Sequence, residues 1–466
     1  MTVAYLANQF PSPVEPYVGE EIEELRSRGV RVVTCSVRKP ADDSQLVAQV
    51  VLQPLTLALL LRALWLCLRE WSRISPLIGR VLFHGIEGPI QRMKALAHTW
   101  LGACYAVRLK GRHVNHIHVH HGYFGSWIAM VAARLLRVSY SMTLHGSDLL
   151  LHRAYLDVKL ANCAFCFTVS EYNRQFILES YPNIEPRKAV LSRLGVEVTE
   201  GVLQSSIWQR TSSANLTLLS VGRLHKVKDH AFLMQACAEL KQRSVNFECS
   251  IAGDGPERRR LKSLIRKYGL EDRVTLLGHV VRKQMDSLYH RADVVVLTSR
   301  SEGIPLGLME AMARGKIVLA PEITGIPELV LHRKTGFLYE AGSMEDFLCR
   351  LLFIHSSLQA KLQVGNADCL QPARHRLLIT SATKHLDWVR HAAQVQVRHN
   401  FNRKINLKSF GDLFITRIAT RSESLPHENS VLQQIQLPIQ RDRSVPVRID
   451  GADAEAGARS SPLLYV

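Results

Sequence analysis

Two glutamates eight residues apart, Glu302 and Glu310, sit in the stretch SEGIPLGLMEAMARG at 301–315. One precedes a predicted helix and the other lies inside it. Gly303 and Gly307 let the backbone approach a ligand closely. Pro305 suits the first helical turn, where its missing N–H costs little. The free N–H groups and positive dipole end of such a helix attract a phosphate. Glu302 could then accept a hydrogen bond from a hydroxyl of whatever the phosphate carries. Glu310, two turns further in, could hold a ribose diol, because a carboxylate accepts from two hydroxyls at once. A second cluster, GRLHKVK at 222–228, offers Arg223 as a planar fork and Lys228 as a point charge, a pair suited to a pyrophosphate. A third, AGDGPE at 252–257, places Gly253 and Asp254 in another turn.

These clusters follow predicted strands at Leu216–Val221, Phe247–Ala252 and Val294–Thr298, and strand ends of parallel sheets are where α/β folds bind ligands. Further strands are predicted at Arg273–Leu277 and Ile317–Ala320. In the first half they fall at Val3–Leu6, Val30–Val37, His116–Val119, Tyr140–Leu144 and Cys163–Val169. Helices are predicted between them, notably Glu15–Ser27, Gly122–Leu136 and Glu171–Ser180. Strand–helix alternation implies parallel sheets covered on both faces. The expected organisation is α/β: a Rossmann-like domain over 1–205, a second over 206–375, a helix over 376–395 crossing back to the first domain, and a flexible basic tail over 396–466. The two doubly wound domains would meet in the polar stretch 202–215 and face a central cleft.

The chain has 466 residues, 47% hydrophobic and 21% charged, which excludes fibrous and wholly disordered classes. Its formal charge of +18 favours polyanions, whether phosphorylated small molecules, acidic lipid headgroups or nucleic acid. No aromatic-interleaved basic patch supports nucleic acid. The nine cysteines are scattered and argue for a reducing compartment; Cys163 and Cys166 form a CxxC read as buried thiols. The start, MTVAYLANQF, reads as a strand and not as a signal peptide. Leu52–Leu68 is the most apolar stretch, too short to span a bilayer. It admits two readings, an amphipathic segment lying on an anionic membrane face or a buried helix. Arg69, Arg73, Arg80, Arg92 and Lys94 follow it, against Glu70 and Glu87. His113, His116, His118, His120 and His121 form a rich tract, but strand alternation sends His118 and His120 to one face and His121 to the other, poor geometry for a metal.

With these motifs the sequence resembles the retaining glycosyltransferases of family four, of GT-B architecture, over about residues 1–390. The carriers are GRLHKVK, AGDGPE, SEGIPLGLMEAMARG and GIPELV (325–330), with HIHVHHG (116–122), TLHGSD (143–148) and TVSEYNR (168–174) in the first half. The EGIP form resembles the branch that builds bacterial exopolysaccharides, colanic-acid-type transferases in particular. The resemblance implies transfer of a sugar from a UDP- or GDP-linked donor, without a metal or other cofactor. The acceptor would be a saccharide or a polyprenyl-diphosphate-linked saccharide at the inner face of the cytoplasmic membrane, with the enzyme peripheral on that anionic surface and no nucleic-acid partner.

By the same resemblance Glu302, His145, Lys228 and Arg223 are catalytic. The donor is held by Arg223, Lys228, Glu310, Gly303, Ile304, Pro305, Leu306, Gly253 and Asp254. Glu15 and Asp148 face the acceptor. The chain departs from the pattern in its first loop, NQFPSPVEPYVGEE (8–21), which lacks a glycine pair and keeps only Glu15 of the branch's Ser-Glu-Thr; Lys316 stands where a proline is common. Two other readings are a catalytically silent scaffold subunit, which would be free to lose these charges, and a nucleotide-sugar epimerase of the same architecture.

Overall fold

A computed structural model describes residues 1–10, 15–38, 48–198, 215–366 and 373–422. The first half forms seven strands: β1 (Thr2–Gln9), β2 (Arg31–Arg38), β3 (Val50–Val51), β4 (His116–His120), β5 (Ser139–Leu144), β6 (Cys166–Thr168) and β7 (Ala189–Leu191). All pair in parallel in the order β3-β2-β1-β4-β5-β6-β7. The second half repeats the plan with β8 (Leu216–Val221), β9 (Phe247–Ala252), β10 (Val274–Gly278), β11 (Val294–Val296), β12 (Ile317–Pro321) and β13 (Phe337–Tyr339), parallel in the order β10-β9-β8-β11-β12-β13. In each sheet the strand order reverses direction between the first strand and the fourth, β1 and β4 or β8 and β11. That switch point opens a crevice at the C-terminal strand ends, where doubly wound sheets take ligands.

Strands such as Val294–Val296 and Ile317–Pro321 are apolar along their whole length because both faces of these sheets are covered. Helix α1 (Pro16–Ser27) turns Val18, Ile22 and Leu25 into the core on one face of the first sheet. Between β3 and β4 the chain makes a three-helix insertion, α2 (Leu57–Arg69), α3 (Trp71–Phe83) and α4 (Pro89–Leu109). In α2 only Leu59, Ala63 and Leu66 are buried, so the apolar stretch is amphipathic by burial and apolar on both sides by composition. No described helix is long and apolar enough to cross a membrane.

The C-terminal region differs from expectation. Residues 396–422, read as the start of a flexible tail, are helical: one helix runs Ala373–Asn400 and a second Arg403–Ser422. The crossing to the first domain therefore lies at 400–403, beyond the 376–395 expected. Leu386, Val389, Ala393 and Val397 pack in the second domain. Phe410 and Phe414 enter the first domain's core beside Phe165 and Phe167. The crossover is pinned by Arg403, which donates to Glu20 at 2.6 Å and to Glu197 at 3.0 Å. In the twenty-residue helix Arg403–Ser422 only Phe410 and Phe414 are buried hydrophobics, with Leu413, Ile415 and Ile418 packed partly against the same core, too sparse a stripe to look like a core-facing helix in sequence. Residues 423–466, and the predicted junction apart from Asn215, lie outside the described residues. Among the described residues eight cysteines are free, Cys163 and Cys166 both buried, as their apolar setting implies.

Candidate functional site

The C-terminal edges of the two sheets meet at their switch points. On the second domain, the loop after β8 carries Arg223 and Lys228, and the loop after β11 carries Glu302. Lys228 Nζ donates to Glu302 Oε1 at 2.5 Å, and Ser299 Oγ donates to the same oxygen at 2.6 Å. Thr298 Oγ1 donates to the Lys228 carbonyl at 3.0 Å, which ties the two loops together. Thr324 fixes the Glu302 backbone, accepting from its N–H at 3.3 Å and donating to its carbonyl at 2.6 Å.

The helix behind Glu302 runs Leu306–Ala313, with Pro305 at the N-cap and not in the first turn. Pro305 O accepts from Leu308 N and Met309 N, so the N–H groups of Leu306 and Gly307 remain at the helix entrance. Ile304 and Leu308 are buried beneath this turn. Glu310 accepts from the Tyr289 hydroxyl at 2.8 Å, and the Arg314 guanidinium lies 4.9 Å from the Tyr289 ring centre. Burial, with the Glu310 charge beside it, raises the Tyr289 hydroxyl well above its ordinary pKa and keeps it a donor. Gly253 and Asp254 buttress the Arg223 turn: Gly222 N donates to Ala252 O and Leu224 N to Asp254 O. The Asp254 carboxylate accepts from the Gly255 N–H at 2.7 Å and lies 3.8 Å from Arg258, so it serves its own turn. Lys316 is buried and donates to the His290 carbonyl at 2.7 Å, away from these loops.

The first domain brings its own cluster to the same edge. Asp148 is buried and accepts from the N–H groups of Gly122, His145, Gly146 and Leu149 at 2.8–3.1 Å. His121 lies 2.7 Å from Glu15 and 3.7 Å from Asp148. His145 Nε2 meets His120 Nδ1 at 2.9 Å, and His120 Nε2 meets Glu21 at 3.0 Å, a chain running from the site into the core. The Tyr5 hydroxyl donates to the same Glu21 carboxylate. Glu21, His118 and His120 place three potential metal-ligand atoms within 4.8 Å of one another, all buried. Ser141 and Thr143 engage both His118 nitrogens, so the ring is held as part of a hydrogen-bond ladder. The expected alternation holds to His120 and then stops. His121 has a φ of +69°, which swings its ring out of the strand pattern to 4.5 Å from the His145 ring.

Electrostatics set these histidines apart. Burial alone would lower the His121 pKa, but its hydrogen bonds and charge contacts with Asp148 and Glu15 outweigh it and push the value up to about 10. Burial would raise Asp148, yet the His121 cation and the Gly146 N–H hold it well below the usual carboxylate range. Glu15 is likewise lowered against its burial, by His121 first and by Arg223 from across the cleft. His145 is driven well below its ordinary value, by burial and then by His121 and His120. At neutral pH the site holds an imidazolium at 121 and a neutral imidazole at 145.

The two loops touch backbone to backbone. A Cβ on Gly303 would lie 1.8 Å from His145 O, and one on Gly146, whose φ is +156°, would lie 2.6 Å from Gly303 N. The structure thus brings together Glu302, Lys228, Gly303, His145 and Asp148, with the Arg223 charge acting on Glu15; Glu310 sits further along its helix, and Asp254 serves its own turn. Glu21, His120, His121, Ser299, Tyr289 and Thr324 were not among the expected site residues. Apart from Ser299, three residues from Glu302, their partners lie up to 115 residues away, so no local spacing reveals them. Glu328 of the GIPELV motif has a role of its own: it accepts from the N–H groups of Glu171 and Tyr172, at 3.0 and 2.7 Å, at the start of the helix Glu171–Ser180 in the opposite domain.

Residues 208–360 match the family described as Glycosyl transferases group 1. The chain is 36% identical over 172 residues to the putative colanic acid biosynthesis glycosyltransferase WcaL of Salmonella typhimurium, 36% of this chain and 42% of that protein. It is 36% identical over 159 residues to the amylovoran biosynthesis glycosyltransferase AmsK of Erwinia amylovora, 33% of this chain and 37% of that protein. These matches span about two fifths of each relative's length. Among solved structures, sucrose-phosphate synthase of Thermosynechococcus elongatus superposes with a TM-score of 0.65 at 16% identity, over 90% of this chain and all of that one. HepE of Anabaena in complex with UDP-glucose superposes with a TM-score of 0.59 at 17% identity, over 91% of this chain and all of that one. The fold is GT-B: two parallel-sheet α/β domains with a cleft between their C-terminal strand edges.

Proposed function

We propose that the protein is a retaining glycosyltransferase of family-four type. It moves a hexose from a UDP- or GDP-linked donor to a saccharide or polyprenyl-diphosphate-linked saccharide in exopolysaccharide synthesis. The observation that carries this reading is the Lys228–Glu302 pair at the β8–β11 switch point, beside a helix entrance with unengaged N–H groups and opposite Arg223. The C–O bond between the anomeric carbon and the diphosphate breaks as a bond from the acceptor oxygen forms on the same face, and the acceptor's proton passes to the departing phosphate. Negative charge grows on the leaving diphosphate, and fixed positive groups at that point lower the barrier most. Arg223, Lys228 and the Leu306 and Gly307 N–H groups supply them with no metal among them. Donor phosphate would draw Lys228 from Glu302 and free that carboxylate for a sugar hydroxyl. Glu310, oriented by Tyr289, would hold the ribose, and neutral His145 would sit beside the sugar.

The relatives named for colanic acid and amylovoran biosynthesis, and the UDP-glucose bound by HepE, support the donor and pathway class. The complete charged set argues against a silent scaffold. Titration with UDP- and GDP-sugars should give saturable binding and slow hydrolysis without acceptor. Glu302→Gln and Lys228→Ala should each lower turnover by roughly a hundredfold to a thousandfold with the fold intact, the cost of removing one such electrostatic group. No nucleotide affinity in the wild type would favour the scaffold; near-normal turnover in either variant would displace the site.

A further inference from the structure

Thirteen of the twenty-one large hydrophobic side chains exposed among the described residues lie between Leu55 and Trp100, on the α2–α4 insertion. On α2, Leu57, Leu61, Leu64, Trp65 and Leu68 follow helical spacing along the side opposite the buried Leu59, Ala63 and Leu66. At the tip between α3 and α4, Phe83 is 78% and Ile86 is 90% exposed. A folded chain concentrates exposed apolar side chains on one insertion chiefly where something else covers them. The charges around it have one sign. Arg62, Arg69 and Lys94 are exposed, whereas Arg80 is buried against Glu87 and Asp157 and Arg92 donates to the Glu87, Val81, Leu82 and Gly85 carbonyls; Glu70 and Glu87 are the only acids in the insertion's sequence. Both acids are already engaged, Glu70 by Arg69, Arg73 and Arg137, and Glu87 by Arg80. The Arg69 guanidinium lies 4.8 Å from the Trp65 ring centre.

We infer that the α2–α4 insertion is a docking surface for an anionic lipid bilayer. Apolar side chains from α2 and the 83–86 tip would enter the acyl boundary, tryptophans would sit at headgroup depth, and the exposed Arg62, Arg69 and Lys94 would meet lipid phosphates. A second copy of the chain fits less well, because an isologous contact sets the same basic residues against themselves. The surface also reaches the candidate site. The Tyr155 N–H donates to Glu87 at 3.2 Å and Arg80 pairs with Asp157 at 3.0 Å, which anchors the insertion to the 147–157 segment that begins beside Asp148. Bilayer docking there would bring a lipid-borne acceptor to the first-domain wall of the cleft. That last step rests on the transferase reading; the docking itself does not.

Co-sedimentation of the full chain with phosphatidylglycerol-containing vesicles, and with pure phosphatidylcholine vesicles, tests this. Binding to the anionic vesicles is expected. Trp65→Ser/Phe83→Ser/Ile86→Ser and Arg62→Glu/Lys94→Glu should each weaken it by at least about tenfold, because each removes one of the two contributions that surface helices combine. All these side chains are exposed, so thermal unfolding and nucleotide-sugar binding should match wild type. Absence of vesicle binding, binding unchanged in both variants, or a dimer in solution that the triple variant dissociates would each overturn the inference. Vesicle binding without nucleotide affinity would leave it standing and remove the transferase reading instead.

Discussion

His121 carries a charge that no local sequence feature requires. Its pKa rises from 6.5 to about 10 because Glu15 and Asp148 prefer the imidazolium. A folded-state pKa raised above the unfolded one stabilises fully below the unfolded value and loses that contribution as pH climbs through the folded one. The stability difference between wild type and His121→Gln should therefore be largest at about pH 6 and shrink towards about pH 10. Urea unfolding at the two pH values measures it; a difference that grows with pH would mean His121 is neutral. The neighbouring Glu21–His120–His145 chain sets which nitrogen of His145 carries a proton, so Glu21 is a positioning residue for that ring.

At the scale of elements, the helix Arg403–Ser422 matters most to the first domain. Phe414 is fully buried among Phe165, Phe167 and His118. Phe414→Ala should cost about 3–5 kcal/mol of that domain's stability, the usual cost of a buried phenylalanine truncation. Chemical denaturation would then show the first domain unfolding earlier than the second; an unchanged transition would mean the helix is dispensable. The sequence pattern hides this element because a helix that caps a sheet with a few phenylalanines reads as polar. Helix α2 is the opposite case. Its composition allowed either burial or membrane contact, and only packing decided that three apolar residues face in while five large apolar ones face out.

Across the whole molecule, the two domains close on glycine. Gly303→Ala would force its Cβ into the His145 carbonyl, where the nearest approach is 1.8 Å, and backbone cannot yield cheaply there. The variant should keep two folded domains, open the cleft, and lose about a hundredfold in transfer, the cost of a displacement of about an ångström between reacting groups. Small-angle scattering and turnover read the two effects; an unchanged radius and rate would show that this contact does not hold the closed form. Glu328, capping the first-domain helix Glu171–Ser180 from the second domain, reinforces the same closure.

Much of this was written in local pattern. Strand–helix alternation with apolar strands dictates parallel, doubly covered sheets, and the charged motifs at strand ends mark the switch-point edge, because periodicity and strand termini are properties of neighbouring residues. Arg223, Lys228, Glu302 and Glu310 could be picked out this way. The pairing of His120 with Glu21, the charge on His121, the return of 403–422 to the first domain and the outward face of α2 could not. Each depends on groups far apart in the chain, and burial, which fixes both contact and charge, exists only once the two sheets and their covering helices have assembled.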